Sequence, residues 1–509
     1  MSSDPVLRLE VREPANGQLI EEVSVPSPAA VEAMIARARA AASRWAGIGA
    51  KERGELLLSW RRELVADADR LVSLVSRENG KPRHEALVHE LLPLVDMLGW
   101  IAAHVSEVFA DEAPPARWLK HREHEVRQRA RGVTALLEPF NFPLLLPVSE
   151  AAASLAAGCT VLIKPSERVP LTALRAVELA HRAGIPTDVL QVVPGGPDMG
   201  RMLIEAGVDQ VRFTGHGDNG RDVAVTCARH LIFCSLELGG NAPMIVLEDA
   251  DVDRAARAVV FGALSNSGQS CVAVGRVLVN RRLQQPLADR LATLVGRLRQ
   301  GDPKEHSVDL GALTTEAQLE RCQRHVDDAL NRGARLRHGG HRKPGSGRYY
   351  APTILTDTDR RALVATEETF GPIIALIPYD RTEEAIEWAH LGQHGLAAYV
   401  FGTDLGYARQ VALKLEAAHV LVDDVLSSYA CAELPFAPLG KSGTGVVHGV
   451  AGLRSHAVPT VLGMPKISLP ARLQFRLASS PAAAQVARGL LRAAVGGSSW
   501  ARRIFLNSE

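Results

Sequence analysis

The chain has 509 residues, 46% hydrophobic and 23% charged, with 58 Lys+Arg against 57 Asp+Glu for a net charge of +1. That length asks for two or three packed domains, and the balanced charge gives no field to attract nucleic acid. The opening MSSDPVLRLEVREP has no apolar h-region and no uncharged apolar run reaches the ~18 residues of a membrane span, so a cytoplasmic location is expected.

Ser27-Pro28 reads as a helix cap, after which Val31, Met34, Ile35, Ala38, Ala42 and Trp45 recur at helical spacing until Gly47. A second helical stretch is expected over 51–77, and the charged alternation HEVRQRARGV at 124–133 suits an exposed ribbon. From Val133 short apolar strands alternate with helices: strands at 159–163, 189–193, 210–213, 231–236 and 243–247, helices at 171–183, 221–229 and 252–265. Such alternation predicts a parallel sheet covered on both faces, with ligands beyond the carboxyl ends of its strands. A second α/β texture runs from Val277 to about Val422. The segment 465–509 carries seven Lys/Arg and one acid, and Val486, Leu490, Leu491, Ala494 and Val495 share a helical face. A helix packed on protein is the favoured reading there; a membrane-surface helix is the less favoured one.

Six cysteines (Cys159, Cys227, Cys234, Cys271, Cys322 and Cys431) form no CxxC pair, so neither a disulfide framework nor a metal site is expected. A core cysteine usually has bulky apolar neighbours. Cys271 instead ends NSGQSC, a small, polar turn that would leave its sulfur accessible and its N–H free to face a ligand. Glu237 in LELGGN closes a strand before paired glycines, where a carboxylate is either inert in solvent or a general base. Asn141 in EPFNFP is fixed between aromatic and proline residues, as a turn asparagine or as an amide donor to an oxyanion. VLIKPSE runs a strand into Lys164, Ser166 and Glu167, a set suited to ribose hydroxyls. FTGHGDNG matches G-x-G-x-x-G at a helix start, which alone would make Glu237 the ribose acid.

Taken in order, EPFNFP, AAGCTVLIKPSE, FTGHGDNG, LELGGNAP, NSGQSCVA, EETFGP and LPFAPLGKSGTGVVHG resemble the successive signatures of the aldehyde dehydrogenase superfamily over about residues 10–463. The C-terminal signature is most similar to the branch acting on aromatic and medium- or long-chain aldehydes. The resemblance implies a Rossmann-like nucleotide-binding domain (1–111 and 132–239) and a second α/β catalytic domain (240–440). It also implies small β-ribbon oligomerisation elements (112–131 and 441–464), ahead of the basic extension 465–509. The ribbon is expected to pair with chain near 455–464 of a neighbour, in a homodimer or homotetramer.

The resemblance also implies roles. Cys271 attacks the aldehyde, Asn141 and the Cys271 N–H hold the oxyanion, and Glu237 activates water to hydrolyse the thioester. Lys164, Ser166 and Glu167 would contact the adenosine ribose. Gly215, His216, Gly217 and Gly220 would face the pyrophosphate, Glu368 would hold the nicotinamide ribose with Phe370 near the ring, and Phe140, Leu238 and Gly239 would also bind the cofactor. Four positions depart from the family pattern: Phe140 for tryptophan, Gly215-His216-Gly217-Asp218 for a G-S-T turn, Asn241 for lysine, and PFAPLG for PFGG. Glu167 would repel a 2′-phosphate and Lys164 softens that repulsion, so NAD is the preferred cofactor and NADP a second one. The loop 426–436 holds Ser427, Ser428, Tyr429 and Glu433 but no Lys or Arg, which points to a neutral, largely apolar aldehyde. Two other readings remain: acyl transfer to coenzyme A, which Glu237 opposes, and a non-catalytic binding protein, which the intact constellation opposes.

Overall fold

The computed structural model describes residues 7–115, 121–467 and 480–495. Ser27 caps the first helix, its Oγ accepting from the Ala30 N–H at 3.3 Å, with Pro28 in the first turn. That helix, Pro28–Gly47, buries Val31, Ile35, Ala38, Ala41 and Trp45, the 3.6-residue stripe expected. The stretch 51–77 is two helices, Ala50–Ala66 and Ala68–Asn79. Asp67 at the break holds the Arg175 guanidinium in a two-pronged bond of 2.7 and 2.6 Å, a long-range tie that local periodicity cannot reveal.

Five parallel strands form the first sheet, in the order Leu190–Val192, Thr160–Lys164, Val133–Leu137, Gln210–Gly215, Phe233–Leu238. The order reverses direction at Val133–Leu137, the switch point where such sheets open a crevice. The last strand begins at Phe233, two residues later than expected. Leu231 before it is 95% exposed with φ 55°, so the chain is still turning there. The helix after Gly215 starts at Gly217 rather than 221.

The second sheet has seven strands: Arg335–His338, Thr353–Thr356, Ile373–Tyr379, Val274–Asn280, Ala242–Val246, Ala397–Phe401 and His419–Val422. Only the first pair is antiparallel. Its core strands are buried runs of Val, Ile and Leu, as both-face coverage requires. One described helical run, Arg83–Val108, is long and apolar enough to cross a membrane. Its Leu94, Met97, Leu98, Ile101 and Val105 are buried, and it packs on Ala50–Ala66 and Leu145–Ala156 as a core helix.

The chain divides into two compact units, 1–108 with 130–456, and 109–129 with 457–509. In the smaller unit Arg122–Ala130 pairs with Ala457–Pro465 of the same chain, which corrects the expectation that a neighbour supplies that strand. Helix Pro481–Val495 exposes Val486 and Leu491; the side chains of Leu490, Ala494 and Val495 and the residues 468–479 and 496–509 lie outside the described set.

Candidate active site

Helix Val252–Leu264 ends in a tight turn where Asn266, Ser267 and Gly268 all have positive φ (52°, 53° and 75°). Such backbone persists only when its surroundings over-determine it, and it clusters at functional sites. Here the Asn266 N–H donates to Glu85 at 2.9 Å, its amide donates to the carbonyls of Asn141 (2.9 Å) and Gln269 (3.0 Å), and the Gln269 amide oxygen accepts from the Thr314 N–H at 3.0 Å. A Cβ on Gly268 would run into the Gly371 carbonyl, which is why NSGQSC and EETFGP both carry glycine where they meet.

Cys271, half-buried, leaves this turn on the wall of a cavity of about 350 Å³. Burial, then the nearby Glu368 and Glu237 carboxyls, push its thiol up to about 12, so the free protein holds a neutral thiol at neutral pH. The glycines of LELGGN are explained by the same approach. A Cβ on Gly240 would strike the Cys271 carbonyl, and one on Gly239 would strike the Glu368 carboxylate.

Asn141 is 4% exposed, and its amide donates to the Gln269 carbonyl at 3.2 Å. Its own carbonyl accepts from Lys81 Nζ at 2.8 Å. Lys81 in turn pairs with Glu90 at 2.7 Å, both side chains fully buried, and the second Glu90 oxygen accepts the Leu144 and Leu145 N–H groups that open helix Leu145–Ala156. Glu90 points inward because the chain makes a π-turn over Leu87–Leu91. Sequence reading missed this support: its members are distant in sequence and the extra π residue hides the period.

Glu237 ends the last strand of the first sheet, with both carboxylate oxygens buried and unpartnered. Burial, then Glu150, push its pKa well above the usual carboxylate range, while Arg212 opposes the shift. Arg212 pairs with Ser235 and Glu237 with Thr214 across the strands, so arginine and glutamate share a sheet face. The Arg212–Glu150 pair is buried, and Arg212 also donates to Ser455 Oγ (3.0 Å) and the Val446 carbonyl (2.9 Å).

On the cofactor side, a cavity of about 430 Å³ at the switch point is lined by Phe140, Lys164, Ser166, Glu167, Gly215 and His216, among others. Glu167 is partly answered by Arg168 at 3.5 Å. A second cavity, about 660 Å³ and more polar, is lined by His216, Gly217, Gly239, Glu368, Arg321 and Lys441, among others. His216 caps helix Gly217–Arg229, its ring accepting the Asp218 N–H at 3.4 Å. Asp218, in the first turn of that helix, pairs with Arg221 at 2.5 Å and stays 3.7 Å from the His216 ring on the wall of the same cavity. Arg321 is near enough to His216 and Glu368 to act on both, and it makes no ion pair among the described residues. Burial raises Glu368 to about 7, and one of its oxygens accepts the Gly240 N–H at 3.0 Å.

Gly220, Leu238 and Phe370 line neither cavity. Gly220 lets Leu238 pack against the helix, and Phe370 sits edge-on to Phe140 at 6.0 Å. Asn241, whose departure the sequence left without a consequence, donates to the Glu367 carbonyl at 3.0 Å and so ties LELGGN to EETFGP. The donor set fits a dinucleotide: a helix N-terminus and a guanidinium for phosphates, and Lys164, Glu167 and Glu368 for ribose hydroxyls. Around the Cys271 cavity stand Phe142, Leu145, Phe261, Val272, Leu426 and Tyr429 with other, mostly apolar residues and Asp424, and among the described residues no Lys or Arg lines it. Of the expected loop residues Ser427 and Tyr429 line it, while Ser428 and Glu433 do not. Its one histidine, His89, is driven down to about 4 by burial and is neutral.

Residues 1–460 match the aldehyde dehydrogenase family. The glutarate-semialdehyde dehydrogenase of Pseudomonas putida is 35% identical over 447 residues, 87% of this chain and 92% of its own length. The NADP-dependent succinate-semialdehyde dehydrogenase of Escherichia coli K12 is 34% identical, covering 86% of this chain and 90% of its own length. The NAD complex of the aldehyde dehydrogenase from Bacillus cereus is 30% identical, with a TM-score of 0.87 and coverage of 90% of this chain and 93% of its own.

Proposed function

The chain belongs to the aldehyde dehydrogenase family, oxidising an aldehyde to its carboxylic acid with NAD(P), and on that premise we propose that Cys271 is the nucleophile of a hydrolytic enzyme for neutral, largely apolar aldehydes. The observation that carries the proposal is the apolar, cation-free cavity behind Cys271, with the unpartnered Glu237 carboxyl close enough to act on the thiol. Glu237 in its carboxylate form takes the Cys271 thiol proton and yields it to solvent, the sulfur adds to the aldehyde carbon, and the Asn141 amide leaves Gln269 to join the Cys271 N–H on the oxyanion. NAD(P), which Lys164, Glu167, Glu368 and the start of helix Gly217–Arg229 would hold, would supply the hydride acceptor for that carbon. Glu237 then takes a proton from water as its oxygen attacks the thioester, the C–S bond breaks, and Cys271 returns as thiolate.

Both named relatives act on aldehydes that carry a distal carboxylate, which a fixed cation would recognise. Among the described residues no such cation lines this cavity. NAD is the preferred cofactor in this reading because Glu167 faces the ribose pocket, and the Arg168 contact leaves room for NADP. Pairing of copies through the exposed strand Ala457–Pro465, as a homodimer or homotetramer, belongs to the same proposal. So does a cytoplasmic location, supported by six free cysteines. The test is a panel of neutral and carboxylated aldehydes with both cofactors, on wild type and Cys271→Ala. Neutral chains should give the higher kcat/KM, NAD should exceed NADP, and Cys271→Ala should be inactive; a preference for semialdehydes would overturn the substrate reading.

A further inference from the structure

Tyr429 lies in the short turn Ser427–Ala430, entered through Leu426 at φ 67°. Its ring is clamped edge-on by Phe436 (centroids 4.9 Å, 86°) and His448 (4.9 Å, 61°), and Phe436 stacks on His419 at 4.6 Å. The Phe436 backbone is bonded in both directions to Val447, at 2.7 and 2.8 Å. Two residues before Val447, Gly445 comes so near Glu237 that a Cβ there would lie 2.7 Å from its Oε1. One hydrogen-bonded strip therefore holds the ring of Tyr429 and the floor beneath Glu237.

A tyrosine this enclosed usually gives its hydroxyl a partner. Tyr399 donates to the Val272 carbonyl at 2.6 Å and Tyr379 to the Val246 carbonyl at 3.0 Å. The Tyr429 hydroxyl has no partner among the described residues, although Tyr429 lines the cavity that holds Cys271. Neither oxygen of Glu237 has one either. Glu237 and Tyr429 each lie near enough to Cys271 to interact with its charge, and polar groups without protein partners are the ones an ordered water bridges.

We propose that Tyr429 positions the deacylating water, an inference that rests on the hydrolytic reading above. The water donates one O–H to Glu237 and the other to the Tyr429 hydroxyl oxygen, which leaves a lone pair facing the thioester carbon. Its first proton goes to Glu237 as the C–O bond forms, the C–S pair returns to Cys271, and Tyr429 keeps its own proton throughout. Burial, with Cys271 as the largest charge contribution, holds that phenol well above its ordinary range, so it does not compete as base or nucleophile.

Tyr429→Phe removes the oxygen and keeps the ring contacts. In a rapid-quench experiment with aldehyde and NAD, first-turnover NADH formation should stay within about 2-fold of wild type, while decay of the Cys271 acyl-enzyme, followed by intact mass, slows by roughly 10-fold. kcat and KM should then fall together. Decay within about 2-fold of wild type, or a parallel loss of both steps, would reduce Tyr429 to a tunnel wall and overturn the proposal. Undiminished hydrolysis in Glu237→Gln would instead strike the hydrolytic reading on which it rests.

Discussion

The two sides of the Cys271 region solve opposite electrostatic problems. On the substrate side burial disfavours charge on three groups: the thiol is raised to about 12, Glu237 is raised well above a normal carboxylate, and His89 is lowered to about 4. On the cofactor side Arg321 and Lys441 line a polar cavity at a helix N-terminus, and Arg321 has no ion-pair partner among the described residues. An apolar substrate would need no fixed charge, and a thiol held neutral in the free protein is charged only as reaction proceeds. A dinucleotide brings its own negative charge and calls for a positive wall.

Several changes would break or sharpen that contrast. Replacing Glu237 by Gln should lower kcat by about 10²- to 10⁴-fold while the first-turnover release of NADH survives, read by stopped-flow absorbance. Lys81→Met leaves Glu90 buried without its cation and should cost about 3–5 kcal/mol of stability, measured by urea titration, with loss of activity through Asn141. Leu145→Arg puts a cation on the neutral side. It should move the kcat/KM ratio of a semialdehyde over a neutral aldehyde of equal length by roughly 10-fold or more.

On the charged side, Arg321→Ala should weaken NAD by about 10-fold in calorimetry, with a smaller deficit at high salt. The smallest effect concerns pH. Glu368 must be ionised to accept ribose hydroxyls, so NAD affinity should rise as pH passes through about 7 and stay flat in Glu368→Gln. The same raised value acts on folding with the opposite sign. The stability from a neutral, buried Glu368 is complete below the unfolded carboxyl value of 4.5 and is lost as pH climbs through about 7.

Much of this was legible in the sequence because strand ends and glycines leave local marks. Asn141, Glu237 and Cys271 stand beside residues whose types are dictated by close approach, and Gly239, Gly240 and Gly268 are explained by what a Cβ would strike. The elements that support them were not legible. Lys81, in the link between two helices, and Glu90 look like two ordinary charges, and the π-turn that aims Glu90 inward has no compositional signature. Arg321 lies on helix Glu316–Asn331 with nothing nearby to mark it as part of the cofactor wall. The 215–220 turn departs from the family pattern by setting Asp218 beside the expected phosphate position, and Arg221 pairs with that acid at 2.5 Å. The site also depends on chain 442–447, whose Ser442 carbonyl accepts the Leu238 N–H at 2.8 Å, a return that no local pattern announces.

The central claim is a thioester on Cys271 that Glu237 clears. Its most direct test is peptide mapping by mass spectrometry of Glu237→Gln quenched during turnover with a neutral aldehyde and NAD. The account predicts one acyl group, on the peptide bearing Cys271, persisting after NADH has formed. Acylation of another cysteine, or NADH formation with no covalent adduct at any time, would contradict it.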